Sequence, residues 1–199
     1  MTKTEFLIGR IGLEFDDDFY PNELPEDWYF DHYSSRFKAL ALHIDTDEDL
    51  EYIFETIHDD LGDYFELALI LEETSLNNEA QLSRLLLDLE EYRDNVTLWC
   101  RVSAQPKPAS LKLLENYKLC LQSEASLKSQ LSSCEVLGQN LAYTDSPVLV
   151  LEDLTELELV SNELLKKMKD LPRAIIICAS NIGDSLNHMQ SISLLINQQ

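Results

Sequence analysis

The chain has 199 residues, 45% of them hydrophobic, with only 5 glycines and 6 prolines. This excludes collagen-like and linker-dominated chains and supplies enough apolar material for a core in one domain, residues 1–199. The 37 acidic residues outnumber 15 basic ones for a net charge of −22, which sets the protein against phosphate backbones and anionic lipid heads, so neither direct nucleic acid nor membrane is expected as a partner.

The acidity is concentrated. Residues 14–73 hold 20 acidic residues and two basic ones, Arg36 and Lys38, so this third carries −18 and the rest −4. A solvated face is the plain meaning of such a run, and a basic protein partner is the functional one. Cys100, Cys120, Cys134 and Cys178 contain no CxxC pair, so reduced thiols are expected, without zinc or disulfides. The start, Met1-Thr2-Lys3-Thr4-Glu5, has no basic region followed by an apolar stretch, and no apolar run approaches the ~18 residues of a membrane span. A cytoplasmic location is expected.

In chain order, Phe6 to Leu13 reads as a strand. Pro25-Glu26-Asp27-Trp28 opens a helix well, with proline in the first turn and two acids against the helix dipole, running to about Phe37. Ala39 to Ile44 is a second strand. Thr46 or Asp47 can cap a helix carrying Leu50, Ile53, Phe54, Ile57 and Leu61 at spacings of three and four, with Gly62 at its end. Residues 65–71 form a third strand, Leu82, Leu85, Leu86 and Leu89 mark the next helix, and residues 95–102 a fourth strand. Pro106 and Pro108 break the chain. The spacing then predicts a long helical stretch over about 109–137, interrupted near 122–125. A short strand at 139–144, a strand at 148–151, a helix over 155–169, an apolar strand at 174–179 and a helix over 184–197 complete the chain. Strands apolar throughout, separated by helices, mean a parallel sheet covered on both faces. Either an open doubly wound sheet or a barrel satisfies that pattern.

The opening residues bear a resemblance. Ile8-Gly9 on a first strand, then Phe19-Tyr20-Pro21, Leu24-Pro25, Trp28, Tyr33 and Arg36-Phe37, resembles the start of the YecE-like family (domain of unknown function 72). Residues 67–71 are similar to that family's "LfQlPP" strand, residues 97–102 to its "EfRh" strand, and residues 139–147 to its "galviaDsp" segment. The resemblance implies a TIM-barrel fold of about seven mostly parallel strands, shortened and incomplete or open, with a unit missing near the third strand. It also implies an eroded pocket. Glu72-Glu73-Thr74 replace the family's Gln and prolines, Arg101 alone survives from "EfRh", and Glu152-Asp153 stand for "RlHG". Chemistry in such a fold sits at these C-terminal strand ends. An incomplete barrel also leaves strand edges that a homodimer would cover.

The strand-end residues His43, Asp45, Glu72, Arg101, Glu152, Asp153 and Asn181 are the candidate ligand-binding set. His43 and Asp45 share one face and could act as a base or hold a metal, or simply cap the next helix. Asp16, Asp17 and Asp18 could gather a cation or a basic partner, but lack an Asp-x-Asp-x-Asp-Gly loop. His58 has no histidine four residues away. Tyr20 and Trp28 belong to an aromatic cluster that either packs the first helix or anchors a partner. No GxGxxG, GKS/T or GxSxG motif occurs, so no cofactor is expected. The leading expectation is a non-catalytic protein that binds a partner through its acidic surface. The alternatives are an enzyme or a small-ligand or metal binder at the strand ends, and an acidic mimic of DNA.

Overall fold

In the computed structural model, which describes residues 5–14, 19–44, 53–54, 65–152, 162–163, 166–168, 170–179, 191 and 194, one curled mixed sheet holds nine strands. They are β1 (Glu5–Ile11), β2 (Ala39–His43), β3 (Glu66–Ile70), β4 (Val96–Arg101), β5 (Lys118–Ser123), β6 (Ser132–Val136), β7 (Gln139–Tyr143), β8 (Val148–Leu151) and β9 (Arg173–Cys178). A 3-10 turn, Glu26–Trp28, leads into helix α1 (Tyr29–Ser34), followed by α2 (Glu73–Leu76), α3 (Glu79–Asp88) and α4 (Pro108–Leu113). The strand order is β6-β7-β5-β4-β3-β2-β1-β9-β8. Seven neighbours, from β8 through β9 and β1 to β5, run parallel, and β7 runs against them, pairing antiparallel with both β5 and β6.

The parallel strands are buried along almost their whole length. Both faces are therefore covered, as continuous apolar runs require. Helix α3 starts where the Asn78 side chain accepts the Gln81 N–H, and it turns Leu82 and Leu86 inward. Helix α4 starts at Pro108, whose missing N–H costs nothing in the first turn. The helix expected around residues 47–61 lies outside the described residues except for Ile53 and Phe54, which are helical and buried. That over 155–169 is described only at residues 162–163 and 166–168, also helical.

The long helix expected over 109–137 does not form. Its place is taken by α4, β5 and β6. Residues 118–123, Lys-Leu-Cys-Leu-Gln-Ser, carry leucines at alternate positions, a period of two rather than 3.6, and are buried on both sides. Strands β6 and β7 form a hairpin, with positive φ at Leu137 (51°) and Gly138 (71°). Two consecutive left-handed residues are what a tight hairpin between twisted strands needs. The parallel order is interrupted between β5 and β8, where the hairpin stands.

Glycine at position 9 has a packing cause. A Cβ there would overlap the Ala39 carbonyl on β2. That carbonyl accepts from the Tyr33 hydroxyl at 2.6 Å, and the same hydroxyl accepts the Arg10 N–H at 3.0 Å. Tyr33, fully buried, thus bridges β1 and β2 at the point where β1 has no side chain. Around it Phe19, Phe30 and Phe37 are buried.

The two ends of the curl meet through side chains. β7 occupies the edge of β5, so β8 cannot extend the ladder there. Instead, Gln122 on β5 uses its amide as a backbone substitute. Its Oε1 accepts the Val150 N–H at 2.9 Å, and its Nε2 donates to the Val150 carbonyl at 3.2 Å. Nε2 also donates to Gln139 Oε1 on β7 at 3.3 Å. Two residues earlier on the same face, the Cys120 Sγ accepts the Val148 N–H at 3.2 Å and donates to the Val148 carbonyl at 3.4 Å. Burial pushes this thiol up to about 12, so it keeps the proton it donates. We expect Gln122→Leu, nearly isosteric, to strand both Val150 backbone groups and cost about 2–4 kcal/mol. Urea denaturation checks this; a loss well under ~1 kcal/mol would show that the seam does not hold the curl together.

Candidate functional site

Parallel strands place their C-terminal ends on one side of the sheet. There β3 ends at Ile70 and runs through Leu71 and Glu72 into α2, while β4 ends at Arg101 and β5 at Ser123. Between these three ends lies a cleft of about 590 Å³, walled by Glu72, Glu73 and Glu124 around Ile70, Trp99 and Val102. A second cleft of about 340 Å³ lies over the seam, bordered by Gln122, Gln139, Leu151 and Glu152. Arg101 and Glu124 line both.

Arg101 defines the division. Its Nη1 pairs with Glu152 Oε1 just beyond β8, across the width of β5. Its guanidinium also lies 5.9 Å from the centroid of the Trp99 ring. Glu73 is held by the segment after β4: it accepts the Ser103 N–H at 2.9 Å and the Ser103 hydroxyl at 2.9 Å. Ser123, buried at the end of β5, accepts the Ala125 N–H at 3.2 Å.

Trp99 is the unusual group. It is 6% exposed, and its Nε1 is buried without a hydrogen-bond partner. An unpaired buried donor costs about 1–3 kcal/mol. A cleft wall is a place where such a cost is tolerated if another molecule supplies the acceptor.

Of the residues expected at this site, Glu72, Arg101 and Glu152 are brought together. His43 is half-buried at the end of β2 and is not part of either cleft's lining. Asp45, Asp153, Asn181, Asp16, Asp17 and Asp18 lie outside the described residues. Trp99, Ser103, Ser123 and Glu124 were not expected there. Trp99 sits within an apolar strand run, where its indole N–H is a donor that burial leaves in need of a partner. Glu124 and Ser123 fell inside the stretch that reads as helical. Of the aromatic cluster, Tyr20 stacks on Tyr29 at 3.8 Å and donates to the Leu13 carbonyl at 2.5 Å, whereas Trp28 is 60% exposed. Among the described residues no group of His, Cys, Asp and Glu is arranged to hold a metal ion, and no helix is long and apolar enough to cross a membrane.

The opposite end of the sheet carries the most buried ion cluster. Glu66, the first residue of β3, is 3% exposed. It accepts from Thr97 Oγ1 at 2.6 Å and pairs with Arg173 Nη1 at 3.3 Å and Lys118 Nζ at 3.8 Å. These groups begin β4, β5 and β9, so the cluster ties four strand starts together. Burial raises the Glu66 carboxyl above its ordinary value, against the pull of Lys118, the Thr97 hydroxyl and Arg173.

No family model and no curated protein matches the sequence. Solved structures do match. A DUF72 family protein of Thermotoga maritima superposes with a TM-score of 0.62 at 12% identity, covering 96% of this chain and 99% of the other. A DUF72 family protein of Enterococcus faecalis superposes with a TM-score of 0.51 at 9% identity, covering 96% and 95%. The fold is therefore shared with DUF72 proteins over nearly the full length of each, in agreement with the resemblance carried by residues 8–37.

The Glu66 cluster makes a signed prediction. A carboxyl raised on folding contributes stability that is present below its unfolded value, near pH 4.5, and is lost as pH rises through its folded value. Glu66→Gln has no such loss. Its urea midpoint relative to wild type should rise between pH 4.5 and pH 8, and a flat or falling difference would contradict the burial effect.

Proposed function

We propose that the protein binds a small molecule in the cleft at the C-terminal ends of β3, β4 and β5, on an open TIM-barrel-like sheet. Trp99, which lines a 590 Å³ cleft and whose buried Nε1 has no hydrogen-bond partner, carries this proposal. Ligand clefts commonly enclose about 300–1,000 Å³, with an apolar lining and a few placed polar groups. In parallel α/β folds, ligands gather at this end of the strands. The relatives in fold belong to a family of unknown function and bring no activity with them, so no reaction is assigned.

The chain has two tryptophans. Trp28→Phe leaves Trp99 as the sole indole reporter. Pooled sugars, amino acids, nucleobases and polyamines are added to that variant, and emission and thermal midpoint are followed. At least one pool should shift both. If every pool leaves both unmoved, ligand binding at this cleft is wrong.

A basic protein partner is a second reading, supported by one place on the surface. Trp28 is 60% exposed, and Glu23, Pro25, Glu26 and Asp27 beside it in sequence are also exposed. An aromatic anchor within an acidic rim suits a partner that offers lysine or arginine. A lysate protein should be retained by immobilised wild type, released at high salt and not retained by Trp28→Ala. Equal retention by the variant would dismiss Trp28 as the anchor.

A further inference from the structure

We infer that the ligand of this cleft is a hydroxyl-rich molecule without negative charge, of the carbohydrate class, an inference that rests on the ligand-binding proposal above. The charges and hydrogen-bonding groups of the wall lead there by elimination.

Among the described residues Arg101 is the only cation lining the cleft, and Glu152 already pairs with it. Glu72, Glu73 and Glu124 add three carboxylates. A phosphate or carboxylate ligand would have to displace Glu152 and enter against the other three, with each like-charge contact weakening binding by about ten-fold or more. Anions are thereby disfavoured. A polyamine matches the charge, but its ammonium groups are donors only and offer nothing to the Trp99 Nε1–H. A purely apolar ligand desolvates the carboxylates and leaves the same indole N–H unpaired. A hydroxyl group both donates and accepts. A polyol therefore serves Trp99 through an oxygen, and Glu72 and Glu124 through its O–H groups. Glu73 is already occupied by Ser103 and acts as a fixed wall. The C–H faces of a sugar ring suit Ile70 and Val102, which supply the apolar part of the lining.

Access to the indole N–H requires a movement. Nε1 is buried, and the Arg101 guanidinium lies over the ring while Glu152 holds it. An incoming hydroxyl reaches Nε1 when the groups around the ring shift. Loosening the pair with Glu152→Gln should therefore raise affinity or speed binding rather than abolish it, the reverse of what a direct ligand contact at Glu152 would give.

The test uses the full chain carrying Trp28→Phe, followed by Trp99 emission and by saturation-transfer NMR. The probes are glucose, galactose, mannose and N-acetylglucosamine, their β-linked disaccharides, glucose 6-phosphate and spermidine. At least one neutral sugar should bind, and glucose 6-phosphate should bind more weakly than glucose, by about ten-fold for one added charge repulsion. Trp99→Phe removes the N–H and keeps an aromatic ring. Followed by NMR, it should weaken the sugar about five-fold; the smaller ring also leaves a cavity that lowers the urea midpoint, so the variant is compared under conditions where it stays fully folded. Binding by spermidine or glucose 6-phosphate with none by any sugar overturns the carbohydrate class while leaving ligand binding intact. Sugar affinity unchanged in Trp99→Phe overturns the role given to the indole. If no probe binds, the carbohydrate inference is wrong, and the wider metabolite pools decide the binding proposal independently.

Discussion

The Gln122 side chain does for this sheet what a strand-to-strand ladder does elsewhere. A parallel sheet that curls must either close through backbone hydrogen bonds or leave an edge. Here the edge of β5 is taken by the antiparallel β7, and β8 arrives against the inner face of β5 rather than beside it. A carboxamide is the one neutral side chain that offers a donor and an acceptor in the geometry of a peptide group. Gln122 places both on Val150, and Cys120 repeats the arrangement more weakly on Val148. The mouth depends on that seam. The second cleft lies directly over it, and the Arg101–Glu152 pair spans it from above.

The two ends of the strands have been treated oppositely. At the strand starts, Glu66 is deeply buried but fully provided for, with a hydroxyl and two cations drawn from three other strands. Removing one partner would leave a charge stranded, so the cluster fixes the relative position of β3, β4, β5 and β9 more than it adds net stability. At the strand ends, the carboxylates are exposed or half-exposed, the one arginine is shared between two clefts, and an indole N–H is left without a partner. Polar groups are satisfied at one end of the sheet, and an indole N–H is left unsatisfied toward the other.

Much of the fold was legible because the parallel strands announce themselves. Strands β1 to β4, β8 and β9 fall within a residue or two of the apolar runs, since burial on both faces leaves no room for polar positions. The motif from Ile8-Gly9 to Arg36-Phe37 was legible as a resemblance, and its physical content is structural. Gly9 makes room for the Ala39 carbonyl, and Tyr33 bridges that carbonyl to the Arg10 N–H. Residues 109–137 were not legible. Leu111, Leu114 and Leu121 fit a helical spacing as well as Leu119 and Leu121 fit a strand, and no glycine interrupts the stretch before Gly138. Partners far away in sequence decided it: β4 on one side of β5 and β7 on the other. The same misplacement hid Glu124 and Ser123 from the site.

The mouth itself changes the meaning of the departures from the family pattern. Glu72, Arg101 and Glu152 stand at three positions where the family pattern carries polar strand-end residues, and the fold brings all three to one pair of clefts. Loss of a pocket would leave such positions free to become apolar or to drift independently. Instead the arginine pairs with Glu152, 51 residues away, and the residues around it in the cleft are carboxylates. Glu73 is pinned by two hydrogen bonds from Ser103 rather than left to solvent. The wall is acidic and partly pre-positioned, and its Trp99 keeps a buried indole N–H without a partner. The C-terminal strand ends of the shared fold carry the cleft, and this chain's own carboxylates give it its charge.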